Sequence, residues 1–227
     1  MAKSLKKQEE ERANKNWKEG EIIRTFNLNR IYGRPTPLMK EWLDVDTPIL
    51  NIPEAYNFER ALSKLEKSFT GWNEEDLKIK FIGPVLELGS MIDDDIVIGY
   101  FDKTISATVE GIKLTVKSDF MLARGTLEFF ETPYFHFQEY KPYKNPSGDS
   151  MAQLLEAFLI AQEKNKNGLP LYGVDIMGKQ WQFVTMEGKD YCISKTFDAV
   201  DREDLLAIIA ILRKFRYILE TRLLDKD

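Results

Sequence analysis

Apolar side chains recur at helical spacing in several stretches of the chain and alternate in a strand-like way between them. Phe58, Leu62, Leu65 and Phe69 line one face of a helix that follows Pro53. Asn73 predicts the N-cap of the next helix, with Glu74, Glu75 and Asp76 at the positive end of its dipole. Phe81, Ile82, Val85 and Leu88 continue that helix's buried stripe toward Gly89. Pro84 must kink or shorten it, because proline has no backbone donor. Upstream, Pro35, Pro37, Pro48 and Pro53 break the chain into short pieces, one of which, residues 37–43, is long enough for two helical turns.

Beyond Asp93-Asp94-Asp95 the pattern turns to β. Residues 104–109 and 112–121 flank Glu110-Gly111 as a hairpin, and the aromatic-rich residues 134–141 form a third strand ended by Pro142. Residues 150–164 read as a helix. Residues 171–176, 180–186 and 190–194 read as a meander turning at Gly178 and Gly188, and residues 202–224 as a final amphipathic helix. No internal repeat or Gly/Ser-rich linker divides the chain. The expected organisation is a polar lead-in over residues 1–20, frayed or disordered, a helical wrap over 21–72 and an α/β core over 73–227, with 21–227 as one domain.

Composition narrows the chemistry. The 227 residues contain one histidine, His136, and one cysteine, Cys192, which together cannot make a three- or four-ligand zinc site or an internal disulfide. Carboxylates and lysines remain. The net charge of −5 argues at first against nucleic acid, but residues 41–102 hold 14 acids against 5 bases, leaving the remainder weakly basic. No apolar run reaches the roughly 18 residues of a membrane span, and residues 1–20 lack the apolar segment of a secretory signal. A cytoplasmic protein is expected, with no membrane partner.

Strand alternation puts Phe135, Phe137, Glu139 and Lys141 on one face and His136, Gln138 and Tyr140 on the other. A preceding strand ending in Ser118-Asp119 could bring a second carboxylate to the same sheet edge. Mg²⁺ takes one or two carboxylates, with waters and substrate phosphate filling its other positions, and a nearby lysine can orient water for phosphodiester hydrolysis.

Asp119, followed after 19 residues by Glu139-Tyr140-Lys141, resembles the D…(D/E)-x-K signature of the PD-(D/E)XK nuclease superfamily. Asn73-Glu-Glu-Asp-Leu-Lys-Ile-Lys-Phe-Ile-Gly-Pro-Val-Leu86 resembles the acidic first helix of the nuclease domain of type I restriction enzyme R subunits, T/S-E-A-D-V-R-x-K-x-I-x-P-x-L. Gln153 and the hairpin around Gly178-Lys-Gln-Trp181 follow in matching order, so the resemblance covers about residues 73–195, in what looks like a stand-alone bacterial form. It implies a restriction-endonuclease-like mixed sheet flanked by helices, with an N-terminal helical extension. It also implies Mg²⁺- or Mn²⁺-dependent cleavage of DNA, with Asp119, Glu139 and the Tyr140 backbone carbonyl as metal ligands. Lys141 would position water, Glu74 would support the metal or the lysine, and Gln153 would contact the site or the DNA. The sequence has no G-x-x-x-x-G-K-[S/T] phosphate loop, so a motor or methylase would be a separate subunit.

Each residue also has a local alternative. Glu139 and Lys141 could be an ion pair at a sheet rim, Asp119 a turn residue and Glu74 or Glu75 a dipole-compensating acid. Ser150-x-x-Gln153 fits a capping box. Asp93-Asp94-Asp95 reads as a solvated loop, His136 and Cys192 as core residues. The basic residues near 141–145 and 164–167 could contact phosphate. The rival function is a non-catalytic DNA- or protein-binding module, RNA is a third possible substrate, and the apolar C-terminal helix could pair two copies in a homodimer.

Overall fold

Eight strands pair into one mixed sheet in the computed structural model, which describes residues 16–92, 97–144 and 146–224. The chain begins with helix α1 (Glu19–Phe26), strand β1 (Asn29–Ile31) and helices α2 (Pro37–Leu43) and α3 (Ile52–Ser68). Helices α4 (Glu74–Leu77) and α5 (Gly83–Leu88) follow, joined by a π-turn over Lys78–Ile82. Three long strands come next, β2 (Val97–Val109), β3 (Ile112–Thr126) and β4 (Phe129–Lys141), then helix α6 (Ser150–Asn165). Strands β5 (Leu171–Met177), β6 (Gln180–Glu187), β7 (Asp190–Ile193) and β8 (Phe197–Asp198) precede α7 (Arg202–Ile218).

The sheet runs β1-β7-β6-β5-β4-β3-β2, with β8 against β6. The β4–β5 and β1–β7 pairs are parallel, and every other pair is antiparallel. Because α6 carries the chain from β4 back to a parallel β5, it must cross one face of the sheet. On that face α6 and α1 pack with Phe137, Met121 and Val184. The other face is covered by α2, α3, α5 and α7 around Trp42, Phe58, Phe183 and Phe215. The sheet is thus buried on both sides, as the expected α/β layering requires.

Several elements depart from the sequence reading. The lead-in ends earlier than residue 20: Trp17 is buried and α1 starts at Glu19. The segment 21–72 is not wholly helical, since Asn29–Ile31 pairs with Asp190–Cys192 and extends the sheet. Three residues with little alternation carry almost no strand signal, so only the partner strand reveals them. Asp93, Asp94 and Asp95 lie outside the described residues. The long α7 spends its apolar face, including Leu205, Ile208, Leu212 and Phe215, on the protein's own core. That face is therefore unavailable as the homodimer contact suggested by its amphipathicity.

Phe135 corrects the alternation argument. Leu122 pairs with His136 while Ala123 pairs with Tyr134, so Phe135 is the extra residue of a β-bulge. It packs with the α7 face, whereas Phe137 packs with the α6 face. Beyond the bulge regular alternation resumes: His136, Gln138 and Tyr140 share a face, with Gln138 bonded to the His136 ring at 3.0 Å and accepting from the Tyr140 hydroxyl at 2.8 Å. His136 packs against Trp42 and Phe215, and burial pushes its pKa down to about 3. A neutral core histidine facing away from Glu139 is the outcome.

The α4–α5 region explains Pro84. Asn73 caps α4 by accepting the Asp76 amide at 2.8 Å. The helix then widens into the π-turn, where the Gly83 amide reaches Lys78 O, and Pro84 falls in the first turn of α5, where a missing donor is tolerated. The widened turn accommodates proline without ending the helical path. Lys78 stands at its start.

Candidate active site

Paired β3 and β4 part just beyond the Phe120–Gln138 row. The Tyr140 amide at this opening finds a side-chain acceptor, Asp119 Oδ2, at 2.7 Å. A buried amide needs such a partner, so Asp119 is held by the divergence of two strands. Asp119 Oδ2 thus accepts from the backbone amide of the residue whose carbonyl the resemblance implies as a metal ligand. Glu139 follows on the same face and pairs by register with Asp175 on parallel β5. On the other side Asp102 lies between the rows Phe101–Phe120 and Lys103–Ser118, opposite Asp119. Asp102, Asp119, Glu139 and Asp175 thus form a row of acids across four strands.

Three lysines pair with acids at this opening, Lys78 from the π-turn and Lys117 and Lys141 from the strands themselves. Lys78 Nζ lies 2.9 Å from Asp119 Oδ1, 3.1 Å from Asp102 Oδ1 and 3.4 Å from Glu74 Oε1. Lys141 Nζ is 3.8 Å from Glu74 Oε2, and Lys117 Nζ is 2.8 Å from Asp102. The turn after β5 secures the end of β4, because the Gly178 amide donates to Lys141 O at 2.8 Å. Gly178 has a φ of +60°, and a Cβ there would come within 2.8 Å of Tyr143. Glycine suits that turn on both counts.

Burial gives the site its electrostatic character. Glu139 is fully buried, and neither carboxylate oxygen has a hydrogen-bond partner. Burial first, and then the Asp119 charge, push its pKa well above the usual range, with Lys141 opposing them. Asp175 is raised chiefly by burial, partly offset by Ser150, and its Oδ1 is also unpartnered. Burial would lower Lys78, but Asp119 and Asp102 outweigh it and hold the ammonium charged. Burial raises Asp102 in turn, and the lysines beside it more than compensate.

With every group ionised, Glu74 and the four acids of the row carry five negative charges against three from Lys78, Lys117 and Lys141. The shortfall equals one divalent cation or two protons. Hard oxygen donors suit Mg²⁺, and the unpartnered oxygens of Glu139 beside Asp119 fit such an ion. Among the described residues no group of three or more His, Cys, Asp or Glu side chains is arranged to hold a metal. An ion here would rely on one or two protein carboxylates and complete its shell with water or phosphate.

Lys141 borders an open cavity of about 390 Å³, walled in part by Trp17, Lys117, Asp149, Gln153 and Glu156. Gln153 does not form the capping box that its spacing allowed: Asp149, not Ser150, is the N-cap and accepts the Ala152 amide at 3.0 Å. Gln153 Oε1 is buried without a partner and the side chain lines the cavity. It shares the wall of the cavity that Lys141 borders. The structure therefore brings Asp119, Glu139, Lys141 and Glu74 together and sets Gln153 at the margin.

Sequence reasoning missed Lys78, Asp102 and Asp175. The i, i+4 relation of Glu74 and Lys78 was a usable signal. Asp102 and Asp175 offered none, since their places follow from strand register.

Glu156 provides a pH prediction. It is buried in the cavity wall, accepts the Thr115 amide at 3.1 Å, and has its pKa raised by burial to about 7. The unfolded chain releases this proton near pH 4.5, the native protein near pH 7. Glu156 therefore favours the native state below pH 4.5 and loses about 3 kcal/mol of that advantage as pH rises through 7. Glu156→Gln should match wild type at pH 4 in thermal unfolding and exceed it at pH 8. Parallel stability–pH curves would contradict this assignment.

No protein-family model matches the chain, and no curated protein matches it either.

Proposed function

We propose that this protein hydrolyses phosphodiester bonds in DNA with Mg²⁺ or Mn²⁺, in the manner of a restriction-type endonuclease. The observation that carries this reading is the fully buried Glu139 carboxylate, unpartnered at both oxygens, beside Asp119. A bound divalent cation supplies Lewis acidity to the phosphate and acidity to a water molecule. Asp119 and Glu139 would hold it. Lys141, at the rim of the cavity, would orient the attacking water and offset charge gathering on the phosphate. Glu74 links Lys141 to Lys78 and restrains both ammoniums. The choice of DNA rests on the resemblance of residues 73–195 to R-subunit nuclease domains.

Purified protein should nick supercoiled plasmid when Mg²⁺ or Mn²⁺ is added, and Lys141→Ala should lower the rate about a hundredfold. Equal residual cleavage by wild type and Lys141→Ala would refute the catalytic reading. It would leave a binding module, recognised by DNA retention in a gel-shift assay without turnover.

A further inference from the structure

We propose that Lys78 is a positioning residue of this site, a resident internal cation that keeps Asp119 aimed and that opposes entry of the divalent ion. The inference rests on the metal-dependent reading above. Three carboxylates surround its ammonium, at 2.9 Å for Asp119, 3.1 Å for Asp102 and 3.4 Å for Glu74. Lys78 is 6% exposed, and its aliphatic stem brings the ammonium within 5.9 Å of the Tyr140 ring centroid. A lysine so enclosed by acids has few alternative positions.

Two backbone features serve this arrangement. The π-turn begins at Lys78, offsetting it from the regular α-helical path between α4 and α5. Asp102 sits mid-strand with φ of +56°, a left-handed conformation that a non-glycine residue adopts only when its surroundings enforce it. That conformation coincides with contacts to Lys78 and Lys117, at 3.1 and 2.8 Å. The strand is distorted where its carboxylate reaches two ammoniums.

The consequence for a metal follows from charge. Lys78 and a divalent ion would share the Asp119 carboxylate, so the fixed ammonium repels the ion across a short, poorly screened distance. Removing the charge should tighten metal binding and leave Asp119 less well placed for turnover.

Titration calorimetry with Mn²⁺ alone, on the intact protein, tests this directly. Lys78→Met should bind Mn²⁺ at least about tenfold more tightly than wild type, and Lys78→Arg should return the affinity to the wild-type value. A residue with only a structural role would instead lower affinity together with the melting temperature. If Lys78→Met does not fold, Lys78→Gln, which keeps a donor for Asp119, takes its place. Wild type that binds Mn²⁺ while the neutral variant binds no more tightly overturns the role of Lys78 alone. Wild type that binds no Mn²⁺ overturns the metal-dependent reading, and this inference with it.

Discussion

Glu139→Gln should abolish metal-dependent cleavage while making the folded protein more stable at neutral pH. Glu139 is fully buried, lacks a hydrogen-bond donor at either oxygen and lies next to Asp119 and Asp175. Its pKa is raised in the native state, so folding takes up a proton that the unfolded chain has released above about pH 4.5. The stability it lends is present below that pH and declines as pH rises. Glutamine has the same shape and no charge to bury, so it removes that decline. The same change takes away an anionic oxygen, and the rate should fall about a thousandfold or more. Denaturant unfolding at pH 5 and pH 8, beside a plasmid-nicking assay, reads both effects. A variant that keeps near-wild-type cleavage would exclude Glu139 from the chemistry, and one less stable at pH 8 would mean that a cation or donor pairs with it in solution.

The second large effect is expected in the core between α2, the sheet and α7. Trp42 on α2 is fully buried, donates from Nε1 to Ile211 O at 2.9 Å, and packs edge-on to Tyr172 and Phe183 with ring centroids 5.1 Å away. It also meets Phe215 and His136. It therefore joins the N-terminal segment to the sheet and to α7. Trp42→Ala removes a large aromatic side chain and leaves a cavity that packed neighbours cannot close, a loss of about 4 kcal/mol. A melting temperature lower by about 10 °C is expected, with Mn²⁺ binding retained below the transition. A loss under about 1 kcal/mol would show that α2 is a dispensable addition to the core.

These two residues differ in how far sequence alone could take them. Glu139 and Lys141 share a face because strand side chains alternate, and His136 is excluded from that face by the same rule. Asn73 announces its helix because a side-chain acceptor is needed for the first free amides. Trp42 was legible only as one apolar residue in a proline-bounded piece, and nothing local named Ile211 as its partner. Phe135 was misplaced because a bulge adds one residue, and such an insertion depends on the opposing strand.

Local periodicity and capping therefore determined most of the helices and strands, though not α1, and the shared face of Glu139 and Lys141, since these depend on neighbours within a few positions. Tertiary structure alone decided that Asp102, Asp119, Glu139 and Asp175 stand in one row and that Lys78 inserts among the acids. Their alignment depends on which strands pair and in what register, a balance of burial and hydrogen bonding over the whole sheet. No short stretch of the chain contains that information.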